Sequence, residues 1–426
     1  MQFLAKGAIY RLLFMGFNFL IGLLIARISD VQEYGIITLM ITNGAVFHIV
    51  AGLGTDQALI WHGAGKAFDP NKLFTFTLLS AIIELSLFII ASVIFRHTYD
   101  KLLLSGQPTS FFFYELIYFT GVMALDKYSS LMYANHQAVP ANRFLTFSTL
   151  ILLTVLALTI ISGNKFSYTP LQLYCLLIFV QAISTMIFYH INNSKLQFSF
   201  FSKENLRSFF NFSILVFITN FIQFIAYRLD YWLIEYYRGA DALGVYAQAG
   251  RFAQLLWVLP NILAALAAPA LLSPQKNYGE KQISDLLRKL NLYNLVLIFL
   301  ITVGALFLYT FFLPSYSAGF KALLLMIPGF YFFCTVLLIA SFFSAKRMLW
   351  INFAGSVFCL ILILVTDLLL IPWLGINGAA IANTISYLGS ALFNIYFFTK
   401  YTGLQFSHLF RFSSEDWKWP GNKLAS

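Results

Sequence analysis

From Gly7 to Thr399 the chain is a succession of apolar stretches separated by short polar joints. Each stretch is close to the ~20 residues a helix needs to cross a hydrocarbon core ~30 Å thick. Twelve spans are predicted, near residues 7–28, 34–58, 73–95, 111–134, 144–162, 170–191, 209–234, 243–271, 291–313, 321–344, 351–371 and 376–399. Helix breakers mark many of the joints: Asp69-Pro70, Gly106-Gln107-Pro108, Gly163-Asn164, Gly239, Ser273-Pro274, Pro314 and Pro372. No joint is long enough for a soluble catalytic or nucleotide-binding domain. A chain of this kind meets its backbone hydrogen-bonding needs inside lipid as a bundle of helices. The expected fold is therefore an all-α polytopic membrane protein. Two amphipathic segments, Phe201–Phe210 and Ile283–Leu290, precede spans seven and nine and are expected at the membrane interface.

A faint internal repeat divides the spans. Tyr34-Gly35 opens span two and Leu243-Gly244 opens span eight, 209 residues later; Tyr168 and Asn377, before spans six and twelve, have the same separation. Each half then holds six spans, an even number, so both halves enter from the same side. This predicts parallel repeats about an axis along the membrane normal with a cleft between them. The domains are placed at 1–200 and 201–400, two six-helix bundles, with a short cytoplasmic tail at 401–426.

Composition agrees with the pattern. The chain is 60% hydrophobic and only 10% charged, with a mean hydropathy of +0.78, against about 25% charged residues in soluble domains. Long unbroken runs exclude a barrel of short alternating strands. The net charge of +10 is scattered through loops rather than gathered into a patch, which argues against a nucleic-acid partner. Of the 27 Lys and Arg, the larger share lies in the segments on the N-terminal side of the membrane, so both termini are placed in the cytoplasm. The first span is too long for a signal-peptide core and is expected to stay as an uncleaved anchor. Cys175, Cys334 and Cys359 lie in apolar runs and give no disulfide framework. The six histidines have no metal-ligand spacing, and no GxxxxGK[ST] motif occurs. Neither a cofactor, a metal nor a bound nucleotide is expected, and transport would draw on an ion gradient, a cargo gradient or another subunit.

The candidate chemistry lies in ionisable residues at membrane depth, where a charge is costly and usually faces a cavity or a partner. Glu84 falls near the middle of span three, as a lumen carboxylate for a proton or ion, or as a hydrogen-bonded link between helices. Arg251 lies about 12 Å into span eight. It reads as a phosphate-gripping lumen guanidinium or as a structural partner of Glu84 or Asp230. Arg11, near the inner end of span one, either snorkels to head groups or faces the inner mouth of the cleft. Asp126 and Lys127 are neighbours in span four and point ~100° apart, so they cannot both face lipid cheaply. Arg228, Asp230 and Glu235 form a mixed-sign group suited to local pairing or to a lumen role. Asp56 and Asp367 read as interfacial, with Asp56 retained as a further coupling carboxylate. Pro260 and Pro269, with Asn261 and the small-residue stretch Ala264–Ala270, make a hinge or a fixed kink in span eight.

Several ordered motifs extend the reading. They are Ala26-Arg27, Glu33-Tyr34-Gly35 and Gly52-Leu53-Gly54 in the first half, and Arg228-Leu229-Asp230-Tyr231-Trp232-Leu233-Ile234, Leu243-Gly244-Val245-Tyr246-Ala247, Arg251 and Pro269 in the second. The last is Pro372-Trp373-Leu374-Gly375-Ile376-Asn377-Gly378-Ala379-Ala380-Ile381-Ala382. In this order, over about residues 1–400, the chain resembles the polysaccharide exporters, in particular the O-antigen flippases, relatives of multidrug and toxic-compound extrusion transporters and lipid II flippases. The resemblance implies two six-helix bundles with alternating access in the inner membrane. It also implies an undecaprenyl-diphosphate-linked oligosaccharide moved between leaflets for O-antigen and lipopolysaccharide synthesis, and a basic central cavity. The expected partners are this lipid-linked oligosaccharide, membrane lipid and a glycan polymerase. Arg251 and Asp230 match family positions. Arg251 is the expected cargo contact, extended by depth and charge to Arg11, Lys127 and Arg228; Glu84, Asp230 and Asp56 are the expected coupling groups, and Pro260 and Pro269 the hinge. Two other classes stay open: a cation-coupled multidrug exporter of the same fold, and a polytopic glycan polymerase or ligase. The second needs a large outer loop with catalytic side chains, and the loops here are short.

Overall fold

A computed structural model describes residues 2–64, 69–94, 111–162, 168–193, 198–264, 280–346, 348–410 and 416. Pro269, the joints at Gly106-Gln107-Pro108, Gly163-Asn164 and Ser273-Pro274, and the tail beyond Phe410 apart from Asp416 lie outside the described residues. Every regular element among the described residues is a helix, with no strand. The helices are α1 (Gln2–Ile28), α2 (Val31–Gly52), α3 (Thr55–Ala64), α4 (Pro70–Ile94), α5 (Phe111–Ala134), α6 (Ala138–Ile161), α7 (Pro170–Asn192), α8 (Lys203–Ala253), α9 (Glu280–Phe307), α10 (Gly319–Ala345), α11 (Leu349–Leu374) and α12 (Ile376–Thr402).

Among the described residues, nine helices are long and apolar enough to cross a membrane, one of them the 62-residue stretch Lys203–Ala264. That stretch is two spans in sequence, broken at Gly239 (φ 81°, ψ 173°). Helix α5, which carries Glu115, Asp126 and Lys127, and the Asn- and Ser-bearing α12 are also of spanning length, 24 and 27 residues. With α8 counted twice, these give the twelve spans that the apolar pattern predicts.

The structure departs from the predicted boundaries in three places. Span two does not run unbroken to residue 58. Leu53 adopts a left-handed conformation (φ 48°) and donates its N–H to Ile49 O, and Gly54 follows at φ 71°, so α2 stops and α3 begins. Apolar Leu53 gives no sign of this break, which comes from the C-cap geometry. Pro372 does not end span eleven. It sits in the last turn of α11, and the helix stops at Gly375 (φ 58°) instead. The two amphipathic segments are not separate elements but the first turns of α8 and α9. In α9 the buried side is Ile283, Leu286, Leu287 and Leu290, while Arg288 pairs with Asp285 at 2.8 Å and with Asp416 at 3.4 Å.

Two compact units are present, Met1–Phe224 and Ile225–Ser426. In the first, α5 packs on α7, α1 on α6 and α3 on α5; in the second, α10 and α11 both pack on α12. Local caps anchor these packings. Asp30 accepts from Glu33 N at 2.7 Å to start α2, and Glu33 Oε1 in turn accepts from Leu171 N at the start of α7. Thr169 and Gln172 form a reciprocal capping box ahead of Pro170. The outward faces are apolar. On α4, Ile82, Ile83, Ile90, Val93 and Ile94 are exposed, whereas Thr77, Glu84, Phe88 and Ser92 are buried. Their separations of seven, four and four residues place them on one side of a helix, so the periodicity that turns isoleucines outward turns Glu84 inward. On α11 the buried row is Ile351, Gly355, Cys359, Ile363, Asp367 and Ile371, one every fourth residue.

The α11–α12 crossing depends on a missing side chain. A Cβ at Gly378 would lie 2.3 Å from Leu370 O, far inside contact distance with backbone that cannot rotate away. Gly378→Ala is expected to destabilise the protein by about 1–3 kcal/mol, the usual cost of overpacking. A lowered thermal unfolding midpoint of the detergent-purified protein checks this, with Gly304→Ala, where a Cβ meets open space, as the unchanged control.

Candidate functional site

Four ionisable side chains converge inside the first unit. Glu84 of α4 and Lys127 of α5 are both buried and form an ion pair, and Lys127 Nζ also lies 3.5 Å from Asp56 Oδ1 of α3. His48 of α2 completes the group: its Nδ1 is 3.0 Å from Glu84 Oε2 and its Nε2 is 3.2 Å from Asp56 Oδ2. The result is a closed ring, His48–Glu84–Lys127–Asp56, in which each basic group touches both acids. Asp126 approaches from outside the ring, 3.7 Å from His48 Nε2, with its side chain 55% exposed. The adjacent Lys127 points inward, as the ~100° rotation between neighbours requires.

The ring constrains its protons. Both imidazole nitrogens of His48 face carboxylate oxygens, and each such contact needs one hydrogen. Two protons are therefore shared among His48, Glu84 and Asp56, either as an imidazolium between two carboxylates or as a neutral imidazole with one carboxylic acid. A proton added or withdrawn here changes the charge balance of a buried site, which is a property a coupling site needs. The backbone makes room for it. A Cβ on Gly52, the last residue of α2, would sit 3.3 Å from Glu84 Oε1.

Arg11 lies outside this ring. Its guanidinium is over the Phe14 ring at 5.3 Å, and Nη1 donates to Tyr133 OH at 3.4 Å; Tyr133 OH in turn donates to Asn142 Oδ1 at 2.6 Å. Lys127, expected beside Arg11 as a cargo contact, is fully buried and held by carboxylates in this structure. Of the expected coupling groups, Glu84 and Asp56 come together in the first unit and Asp230 stands in the second.

The second unit has a different network. Asp230 of α8 is buried and accepts from Tyr246 OH and from Asn383 Nδ2 of α12, the latter at 2.8 Å. Asp367 of α11, expected at the interface, is 0% exposed, because it occupies the inward row between Ile363 and Ile371. Among the described residues neither of its carboxylate oxygens meets a hydrogen-bond donor. Arg228 Nη1 donates to Tyr231 OH, with the guanidinium 4.7 Å above that ring, and Tyr231 packs edge-on against Tyr246. Arg251 is half-buried near the end of α8. Just beyond it, Gln254–Trp257 tightens into a 3-10 turn ahead of buried Pro260, the local geometry of a bend. Trp257 stacks on Phe330 and packs on Tyr227, Phe333 and Tyr387, so aromatic contacts hold the turn.

Sequence reasoning missed His48, Glu115, Tyr246 and Asn383. His48 and buried Glu115 carried a usable signal, an ionisable residue within an apolar run; for His48 a search for metal spacing passed over it. Tyr246 and Asn383 carry no such signal, since their role exists only once the break at Gly239 folds Tyr246 back beside Asp230 and α12 packs against them.

Removing Lys127 leaves two acids facing a single basic partner. Lys127→Met is expected to cost about 3–5 kcal/mol, the penalty for breaking a buried pair. Lys127→Met combined with Glu84→Gln is expected to recover at least half of the lost unfolding midpoint. Thermal unfolding of the three proteins checks the order; a double variant less stable than the single would show that the pair is not the source.

The comparisons agree with this architecture. The structure is similar to the lipid II flippase MurJ in an inward closed conformation, with a TM-score of 0.70 at 16% identity over 96% of this chain and 89% of that one. It is also similar to an inward-facing multidrug resistance MATE family transporter of the MOP superfamily, at a TM-score of 0.65 and 14% identity over 93% and 98% of the two chains. A third likeness is to the Vibrio cholerae MATE transporter VcmN in the bent form, at 0.60 and 13% over 96% and 97%. Identities this low speak for the fold, which is that of membrane transporters and flippases. No curated protein matches the chain. The model of the family described as polysaccharide biosynthesis protein matches residues 24–318, well over half the length, and the chain belongs to that family.

Proposed function

We propose that the protein is a flippase that carries an undecaprenyl-diphosphate-linked oligosaccharide across the cytoplasmic membrane by alternating access, for cell-surface polysaccharide synthesis such as that of O-antigen. Both termini are then cytoplasmic. The family supports a role in polysaccharide biosynthesis, and one of the similar folds is a lipid II flippase. The observation that carries the reading is the state of the arginines. Arg11 and Arg228 rest on tyrosine hydroxyls and aromatic rings, and among the described residues neither lies in an ion pair. Their charge is available to an anionic head group in a way that the charge of Lys127 is not. With Arg251 they supply the guanidinium forks that bind phosphate oxygens in pairs. Coupling falls to acids: Asp230 with Asp367 in the second unit, and Glu84 with Asp56 in the first.

A cation-coupled multidrug exporter is the second reading, favoured by the two buried acids of the second unit, Asp230 and Asp367, which suit a cationic cargo. The two readings separate in proteoliposomes. With a fluorescent lipid-linked glycan, the wild type is expected to move label between leaflets, and Arg228→Ala or Arg251→Ala to slow it by about 10- to 100-fold, the worth of one hydrogen bond to a charged group. Transport of cationic dyes with no glycan transfer would reverse the assignment. Asp230→Asn and Asp367→Asn are expected to abolish dependence on an imposed ion gradient while downhill exchange of glycan persists.

A further inference from the structure

A cavity of 330 Å³ opens in the first unit, walled by the α2–α3 junction, α4, residues 199–201 and the first turns of α8. Its size is at the small end of ligand sites. The walls are mostly apolar, chiefly Phe76, Leu79, Ile83, Phe201, Leu206 and Phe210, with Thr75 and Ser80 among the polar groups that line them. Lys72 lies in the lining, on the first turns of α4. Glu84, already a member of the charged ring, closes the other end beside Gly52.

Two more basic side chains stand on the α8 turns that wall the cavity. Lys203 and Arg207 are both exposed on α8. At ~100° per residue they share one helix face with Leu206 and Phe210, which line the cavity; Glu204 points away from that face. Among the described residues none of Lys72, Lys203 and Arg207 is in an ion pair. Phe198 and Phe200 beside them are exposed, as expected of a segment lying at the lipid–water boundary. A largely apolar slot with one such cation in its lining and two on the helix that walls it is complementary to an amphiphile with a long chain and an anionic head.

We propose that this cavity is a binding site for one acyl chain of an anionic phospholipid of the bilayer, with its phosphate held by Lys72, Lys203 and Arg207. The chain lies along α4 and ends against Gly52 and Glu84, so it keeps water from that side of the ring. The site is separate from the arginines assigned to cargo, and it does not depend on which cargo the protein carries.

The test is photolabelling in nanodiscs with phosphatidylglycerol bearing a diazirine midway along one acyl chain. Label is expected on peptides covering residues 72–84 and 199–210. The triple variant Lys72→Gln, Lys203→Gln, Arg207→Gln is expected to reduce it about 100-fold, from ~1 kcal/mol per basic residue near an anionic surface. Ser80→Trp, which fills the cavity, is expected to remove it while label on the exposed face around Ile151 is unchanged. The triple variant alters only groups at the rim and on the surface, so it decides the matter even if Ser80→Trp does not fold. Equal labelling by photoactive phosphatidylcholine, or labelling indifferent to the triple variant, would overturn the proposal as ordinary annular lipid. Preferential labelling by a photoactive polyprenyl phosphate would overturn it in favour of the tail of the cargo.

Discussion

A charge buried in a low-dielectric bundle has to be answered at close range, and the first unit is organised around that requirement. His48, Asp56, Glu84 and Lys127 come from four different helices, and each answers two of the others. The cost of burying one ion is several kcal/mol even after relaxation, so none of the four can be buried without the rest. The break at Leu53 and Gly54 belongs to the same arrangement. It ends α2 after His48 and starts α3 just before Asp56, so two residues eight apart in sequence can reach the same pair of partners.

The second unit answers its charges differently. Asp230 accepts at Oδ2 from a hydroxyl and an amide rather than from a cation, and Asp367 is buried within an otherwise uncharged row on α11. Arginine stays at the margin, supported by aromatic faces, where cation–π contact offsets part of its dehydration. The two units thus hold different kinds of electrostatic balance. The first pairs its buried acids with bases in ion pairs; the second holds Asp230 by a hydroxyl and an amide, with no ion pair to it among the described residues.

Much of this was legible in the order of residues. Spacing and hydrophobicity define twelve spans, and depth within span three marks Glu84 as unable to reach either surface. What was not legible depended on partners brought together by folding. Lys127 looks like a lumen cation until Glu84 and Asp56 are placed beside it. Asp367 lies near the end of its span and looks interfacial, yet the four-residue row on α11 turns it inward. His48 has no ligand spacing because its partners lie on other helices. Leu53 is an apolar residue in a left-handed cap, a geometry that hydropathy does not encode. Local pattern gives the number of crossings and their inward faces; pairing between distant helices decides which charge is spoken for.

Arg238 has a mechanical consequence. From the α8 side of Gly239 it reaches across to α11, where Nη2 donates to Pro372 O at 2.6 Å and Nε to Ile371 O, which also accepts the capping N–H of Gly375; both are carbonyls of the last turn. Since α8 carries Asp230 and α11 carries Asp367, this clasp ties the two acid-bearing rods at their tips. Any swivel of one rod would drag the other or unlatch its terminus, so the spacing of the two carboxylates is governed partly from a distance, by a guanidinium that touches neither.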